Sequence, residues 1–258
     1  MKDSLTLVKV GGKIVEDPTS LVSLLERFSK IEGPKILVHG GGRTATDIAG
    51  KLGIETHMAA GRRITDAQML RVVTMVYGGL VNKNIVARLS TLGLKALGLT
   101  GADMNVICSH KRPVTPEGID YGFVGDVDTV DADALSMLIE GGVIPVVAPL
   151  TLGAGGQLLN TNADTVAGET AKAMSRLYDV TLMFCFEKKG VLLNADDDDS
   201  VIPHIDTTTY AKLKEQGVVS GGMLPKLDNS FAALNGGVSK VVITRADQIG
   251  LCGTTITI

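Results

Sequence analysis

The first two apolar runs of this chain, Leu5 to Val10 and Ile36 to His39, each end in consecutive glycines and are separated by one amphipathic helix pattern. Asp17-Pro18 has the form of a helix start, with Asp as the capping residue and Pro at the first helical position, where no N–H is needed. Leu21, Leu24, Leu25 and Phe28 follow at i, i+3, i+4 and i+7, one face of a helix. Two strands joined through a helix need a crossover, so they lie parallel. The alternation continues. Thr65-x-x-Gln68 has the form of a capping box opening a helix that carries Met69, Val72, Val73, Val76 and Leu80. Ala96 to Leu99, Val143 to Val147, Val180 to Phe186 and Val241 to Thr244 predict further strands, and residues 104–127 predict hairpins and irregular loops. The expected fold is therefore α/β, a three-layer αβα sandwich with a mainly parallel central sheet. A division near residue 175 is expected to separate an N-terminal lobe, 1–174, from a C-terminal lobe, 175–258. With 45% hydrophobic residues but only five Phe, four Tyr and no Trp, the core must be aliphatic.

In an open parallel sheet the carboxyl ends of the strands form the ligand crevice. Lys9-Val10-Gly11-Gly12 and His39-Gly40-Gly41-Gly42 both fall there. Glycines at such turns let backbone N–H groups point at an anion, and the helix that starts after the second cluster adds positive potential. The plainer alternative is that they only make tight turns. Two clusters on adjacent strand ends, one beside a lysine, favour an anion site. Further on, Asn160, Asn162 and Asp164 alternate and would share one side of an extended segment, although Asp164 alone could serve as a helix cap. Gly221-Gly222-Met223-Leu224-Pro225-Lys226 puts a lysine in the first turn of a helix, where the dipole disfavours a cation unless an anionic ligand is present. The consecutive acids Asp196 to Asp199 cannot all face one ligand and predict a solvated turn.

Several function classes fall away. The chain lacks G-x-x-x-x-G-K-[ST], a complete G-x-G-x-x-G and H-E-x-x-H, and its four histidines, His39, His57, His110 and His204, are dispersed. A net charge of −3 gives no footprint for nucleic acid or a membrane surface. Cys108, Cys185 and Cys252 are odd in number and widely spaced, unlike a disulfide framework or a zinc site, and they fit a reducing, cytoplasmic setting. No signal or transmembrane run is expected.

Taken in order, Lys9-x-Gly11-Gly12, Val38-His39-Gly40-Gly41-Gly42, Gly61-Arg62-Arg63-Ile64-Thr65, Asn82-Lys83, Asp120-Tyr121-Gly122-Phe123-Val124-Gly125, Asn160-x-Asn162-Ala163-Asp164 and Gly222-Met223-x-x-Lys226 resemble the acetylglutamate kinases of the amino acid kinase family. The resemblance spans nearly the whole chain. It implies transfer of the ATP γ-phosphoryl group to the γ-carboxylate of N-acetyl-L-glutamate, in arginine biosynthesis. The acylated glutamate would sit in the N-terminal lobe and ATP in the C-terminal lobe. Lys9 and Lys226 stand at the family's two catalytic lysines and Asp164 at the acid that positions them. Gly41, Gly42, Arg63, Asn160 and Asn162 stand at substrate-binding positions. The nucleotide positions would be Gly11, Gly12, Glu187, Lys188, Lys189, Gly190, Val191, Leu192, Val218, Val219, Ser220, Gly222 and Met223. One departure is visible: the family's Asp-Val-x-Gly-Val run is here Glu187-Lys188-Lys189-Gly190-Val191.

The implied chemistry agrees with the residues present. A γ-carboxylate with an ordinary pKa of about 4.3 is already ionised at neutral pH, so the nucleophile needs no general base. Repulsion between two anions is the main obstacle, and lysines with glycine N–H groups address it. The planar fork of Arg63 suits the substrate α-carboxylate. Mg²⁺ would ride mainly on the ATP phosphates, with no protein metal site. The rival readings are the same chemistry on another N-acyl-glutamate such as N-succinyl-glutamate, a carbamate, glutamate 5-, aspartate or uridylate kinase, or an inert sensor of an acyl amino acid or nucleotide. Four residues precede Leu5, about 13 Å of extended chain. This leaves no room for the N-terminal helix that interlaces the family's arginine-inhibited hexamers. The expectation is a homodimer that arginine does not inhibit. Its contact face would be the helix from Asp66 onward, whose apolar positions could equally all be core.

Overall fold

The computed structural model describes residues 2–194, 196–219 and 223–258. Its strands are β1 (Ser4–Val10), β2 (Lys35–His39), β3 (Met58–Ala59), β4 (Arg62–Arg63), β5 (Ala96–Leu99), β6 (Ile107–Lys111), β7 (Gly125–Val130), β8 (Ile144–Val147), β9 (Leu150–Leu152), β10 (Leu158–Asn160), β11 (Asp179–Phe186), β12 (His204–Ile205), β13 (Lys240–Arg245) and β14 (Thr254–Ile256). The helices are α1 (Gly12–Glu16), α2 (Pro18–Ser29), α3 (Gly42–Lys51), α4 (Ala67–Val73), α5 (Asn82–Thr91), α6 (Ala132–Glu140), α7 (Ala163–Met174), α8 (Thr207–Glu215) and α9 (Met223–Asn235). A π-helical stretch, Thr74–Val81, joins α4 to α5 without a break.

The main sheet has the order β12-β14-β13-β11-β1-β2-β8-β5. From β13 to β5 every pair is parallel, and β14 runs antiparallel to β13. The sheet crosses residue 175 without interruption, since β1 pairs directly with β11. Period-two alternation sorts its side chains. Leu5, Leu7, Ile36, Val38, Leu182 and Ile243 face a core shared with α6, α7, α8 and α9. Val8, Val10 and Leu37 face a second core with α1 to α5. Helices cover both faces, which is why the strands read as unbroken apolar runs. Leu21, Leu24, Leu25 and Phe28 are buried as their spacing predicts, each worth about 1.5–3 kcal/mol of transfer free energy. Asp17 caps α2 by accepting from Ser20 N–H at 2.7 Å.

Three local readings change. The cap of the Thr65 helix is Asp66, whose carboxylate accepts from Met69 N–H at 2.7 Å, so the capping box is set one residue off. Met69, Val72, Val73 and Val76 belong to the chain's own core, whereas Leu80 is 46% exposed. Asn160, Asn162 and Asp164 do not share one extended segment, since Asn160 ends a strand and Asp164 lies in a helix. β9 and β10 form an antiparallel pair inside a second sheet of order β10-β9-β6-β7, and α7 begins only at Ala163. Three-residue strands are too short for a period to register. Among the described residues, no helix is long and apolar enough to cross a membrane.

Candidate active site

The two glycine turns meet at the carboxyl ends of β1 and β2. A Cβ on Gly40 would stand 3.1 Å from Gly12 N, and one on Gly12 would stand 3.7 and 3.6 Å from Gly41 N and Gly42 N. The backbone N–H groups of both loops are therefore packed into one small region, a concavity of the kind that binds anions. Glu16 ties the loops together, its Oε1 accepting from Thr44 N–H at 2.8 Å in the first turn of α3. His39 supports the second loop from behind. Burial pushes its pKa down to about 4, so the ring is neutral at pH 7. Its Nδ1–H donates to Gly40 O at 2.7 Å, and Nε2 accepts from Asn82 at 3.1 Å. Asn82 donates further to Val146 O, and Lys83 holds Asn82 Oδ1. The Asn82-Lys83 pair thus braces the loop, and His39 has no part in proton transfer.

Odd-numbered positions of β1 face α7, which brings Lys9 to the start of that helix. Lys9 Nζ lies 2.6 Å from Asp164 Oδ1, with the two side chains 13% and 26% exposed. Asp164 is not the cap. Asn162 is, accepting from Asp164 N–H and Thr165 N–H at 2.8 and 3.2 Å. This leaves the Asp164 carboxylate for Lys9 and commits Asn162 Oδ1 to the helix. Asn160 ends β10 and donates to Thr65 Oγ1 at 2.9 Å.

Gly40 to Gly42, Arg63, Tyr77 and Asn160 to Ala163 line one cleft, with Met58, Gly61, Arg62, Val124 and Pro149 completing it. Arg63 crosses from β4 to α3: Nη2 donates to Gly42 O at 2.7 Å and to Thr46 Oγ1 at 2.9 Å, and Nη1 donates to Thr56 Oγ1 at 3.3 Å. The Tyr77 hydroxyl also faces its guanidinium. The sequence does not single out Tyr77, Met58 and Pro149, and Arg62 and Val124 enter only as motif members without a role of their own. Tyr77 comes from the π stretch, where the wider turn presses its ring on Gly41; a Cβ there would lie 3.1 Å from Tyr77 Cδ1. Burial raises the Tyr77 pKa. The available signal was Gly78-Gly79 inside an otherwise apolar helix pattern.

At the other side of the crevice, Lys226 lies in the first turn of α9 with Nζ 5.2 Å from the Phe186 ring centroid, beside the end of β11. The departing Glu187-Lys188-Lys189 run has partners for each charge. Glu187 pairs with Lys13 at 2.5 Å, Lys188 with Asp198 at 3.4 Å and Lys189 with Asp199 at 2.6 Å. The acidic stretch is therefore an exposed turn that also answers this loop, through solvent-screened pairs that add little stability. Val191, Leu192 and Val219 are buried, Val218 and Met223 pack on the same core, and Gly190 is closed in by Thr254. Ser220 and Gly222 lie outside the described residues. The buried Cys185 thiol is pushed up to about 12 by desolvation and is no nucleophile at neutral pH.

A parallel αβα sandwich with glycine turns, a lysine–carboxylate pair and a second lysine gathered at one end of its sheet is the build of a phosphoryl-transferring kinase. The chain belongs to the amino acid kinase family, whose model matches residues 4–245. It is 62% identical over 255 residues to an acetylglutamate kinase of Bacteroides fragilis, a match covering 99% of this chain and 97% of that one. Among solved structures it resembles smu.665 from Streptococcus mutans UA159, with TM-score 0.80, 26% identity and 98% of each chain covered. The fold also matches N-acetylglutamate synthase from Neisseria gonorrhoeae complexed with coenzyme A and N-acetyl-glutamate, with TM-score 0.83, 21% identity, and 100% of this chain but 60% of that one covered.

Proposed function

We propose that this chain transfers the γ-phosphoryl group of ATP to the γ-carboxylate of N-acetyl-L-glutamate, a step of arginine biosynthesis. The observation that carries the reading is the Lys9–Asp164 pair beside two interlocked glycine loops, adjoining a cleft that Arg63 enters. Residues 1–174 would hold the acyl amino acid, since every residue lining that cleft falls there, and residues 175–258 would hold ATP. The carboxylate arrives ionised and attacks phosphorus directly. Lys9 and the N–H groups of Gly12, Gly41 and Gly42 would take up charge on the transferring group, the Gly11 N–H being held by Cys185 O at 3.2 Å, and Lys226 would meet the polyphosphate from the opposite side. Asp164 fixes the Lys9 rotamer. Among the described residues no group of three or more His, Cys, Asp or Glu side chains is placed to hold a metal. These residues fit Mg²⁺ brought in on the nucleotide, where it would supply charge neutralisation. Assembly as a homodimer is part of the proposal. Met75 and Leu80, 55% and 46% exposed on the helical segment after Asp66, would give its contact face.

The test is ATP turnover with hydroxylamine trapping on a panel of N-acetyl-L-glutamate, carbamate, glutamate, aspartate and uridylate. Hydroxamate with the acylated amino acid is expected, and activity confined to another acceptor would overturn the assignment. Arg63→Lys should raise KM for the acyl amino acid about 10- to 100-fold, because an ammonium cannot hold Gly42 O, Thr46 and Thr56 together and still offer a donor to the substrate carboxylate. Steady-state kinetics with each substrate varied checks this. A change in the KM for ATP alone would reverse the lobe assignment.

A further inference from the structure

A guanidinium and a phenol converge on the first residue of α3. A Cβ built on Gly42 would stand 3.8 Å from Arg63 Nη2 and 4.0 Å from Tyr77 Oη, so the hollow over this glycine is walled by both groups and opens on the cleft. Arg63 has little left to give a ligand there. Nη2 donates to Gly42 O and Thr46 Oγ1, and Nη1 to Thr56 Oγ1 and Met69 Sδ, which leaves at most one of the five guanidinium donors. A carboxylate has roughly four lone-pair sites to fill. Tyr77 is the reverse case. It is 5% exposed, and its hydroxyl faces Arg63. A guanidinium only donates, so the phenol oxygen accepts on that side and keeps its proton for another acceptor. Among the described residues no protein group takes that proton, and the neighbouring Glu16 carboxylate accepts from Thr44 N–H instead. A buried donor without an acceptor is costly, and an acceptor on the ligand would remove that cost.

The ligand group can be narrowed by position. The γ-carboxylate must reach Lys9, beside Asp164. An acyl carbonyl is neutral and gains less than an anion from the guanidinium and the helix N-terminus that share the hollow with Tyr77. The α-carboxylate remains. In an inference that rests on the proposed N-acylglutamate reaction, we propose that Tyr77 is a substrate-binding and specificity-determining residue whose hydroxyl donates to the α-carboxylate over Gly42. The substrate class is then a free N-acyl amino acid, and an α-amide, as in a glutamyl residue within a peptide, is refused. Burial raises the Tyr77 pKa, so the proton it donates is in place at neutral pH.

Calorimetric binding of N-acetyl-L-glutamate and of its α-amide, N-acetyl-L-isoglutamine, to the intact chain, with and without Tyr77→Phe, tests this. Phe keeps the ring on Gly41 and removes only the hydroxyl. Tyr77→Phe should weaken the acid about 10- to 100-fold, the scale of a hydrogen bond to a charged group, and the amide by only a few fold. The wild-type preference for the acid over the amide should shrink accordingly. Because the readout is a ratio within each variant, a partly destabilised variant still reports. Equal losses for both ligands overturn the proposal, since Tyr77 would then serve a part of the substrate that both share. So does unchanged binding of the acid in Tyr77→Phe, or a wild type that binds acid and amide alike. Turnover is followed separately. A binding preference that depends on Tyr77, without phosphoryl transfer, would leave the Tyr77 inference standing and refute the kinase reading. Phosphoryl transfer with binding indifferent to Tyr77→Phe would refute the Tyr77 inference alone.

Discussion

Lys9→Ala and Lys226→Ala should each lower kcat by about 10²–10⁴-fold while the chain stays folded, the range seen when a preorganised electrostatic stabiliser is removed. Lys9 is the stronger case on geometry. It is 13% exposed and held at 2.6 Å by Asp164, so its charge acts where water screens it weakly. Both lysines are partly exposed at the rim of the crevice rather than fully buried in a core, so truncation leaves little cavity. Circular dichroism and thermal melts establish folding, and steady-state kinetics give kcat. Near-normal turnover in either variant removes that lysine from the mechanism.

Asp164→Asn should lower kcat by about 10- to 100-fold, because an amide keeps the shape but gives up the charge-assisted bond that fixes Lys9. The double variant Lys9→Ala/Asp164→Asn should be scarcely slower than Lys9→Ala alone, since Asp164 acts through the lysine. Multiplying effects would instead give Asp164 a contact of its own with a reactant. The Asn162 cap makes this reading possible: with the first-turn N–H groups satisfied by Asn162, the Asp164 carboxylate is not needed for helix initiation.

The fold was legible wherever one physical signal stood alone. Asp17-Pro18 followed by Leu21, Leu24, Leu25 and Phe28 could be little else than a capped, one-sided helix, and the buried strands announced themselves as apolar runs. At Thr65 two capping residues stand side by side, and sequence could not say that Asp66 would take Met69 N–H while Thr65 turned to Asn160. The π stretch is invisible because its residues carry the same apolar pattern as an α-helix; only the structure shows that the wider turn brings Tyr77 to Gly41. Motif order brought out Lys9 and Asp164, but their partnership depends on β1 lying next to α7, a tertiary fact. Arg62 illustrates the same limit. Next to Arg63 in sequence, it looked like part of one motif, yet Arg63 reaches Gly42, Thr46 and Thr56 while Arg62 has Arg112 and Asp126 as its charged neighbours.

The central claim is that the substrate carboxylate itself attacks the γ-phosphorus, with no water and no general base between them. It is tested most directly with N-acetyl-L-glutamate carrying ¹⁸O in its γ-carboxylate. After turnover with ATP, hydroxylamine attacks the acyl carbon and releases phosphate that retains the bridging oxygen. The account predicts one ¹⁸O in the phosphate from each turnover of fully labelled substrate, measured by mass spectrometry or the ¹⁸O shift in the ³¹P spectrum. Unlabelled phosphate would mean that water, not the carboxylate, is the acceptor. Binding of both ligands with no phosphate release would mean that the site is a sensor. Either result contradicts the account.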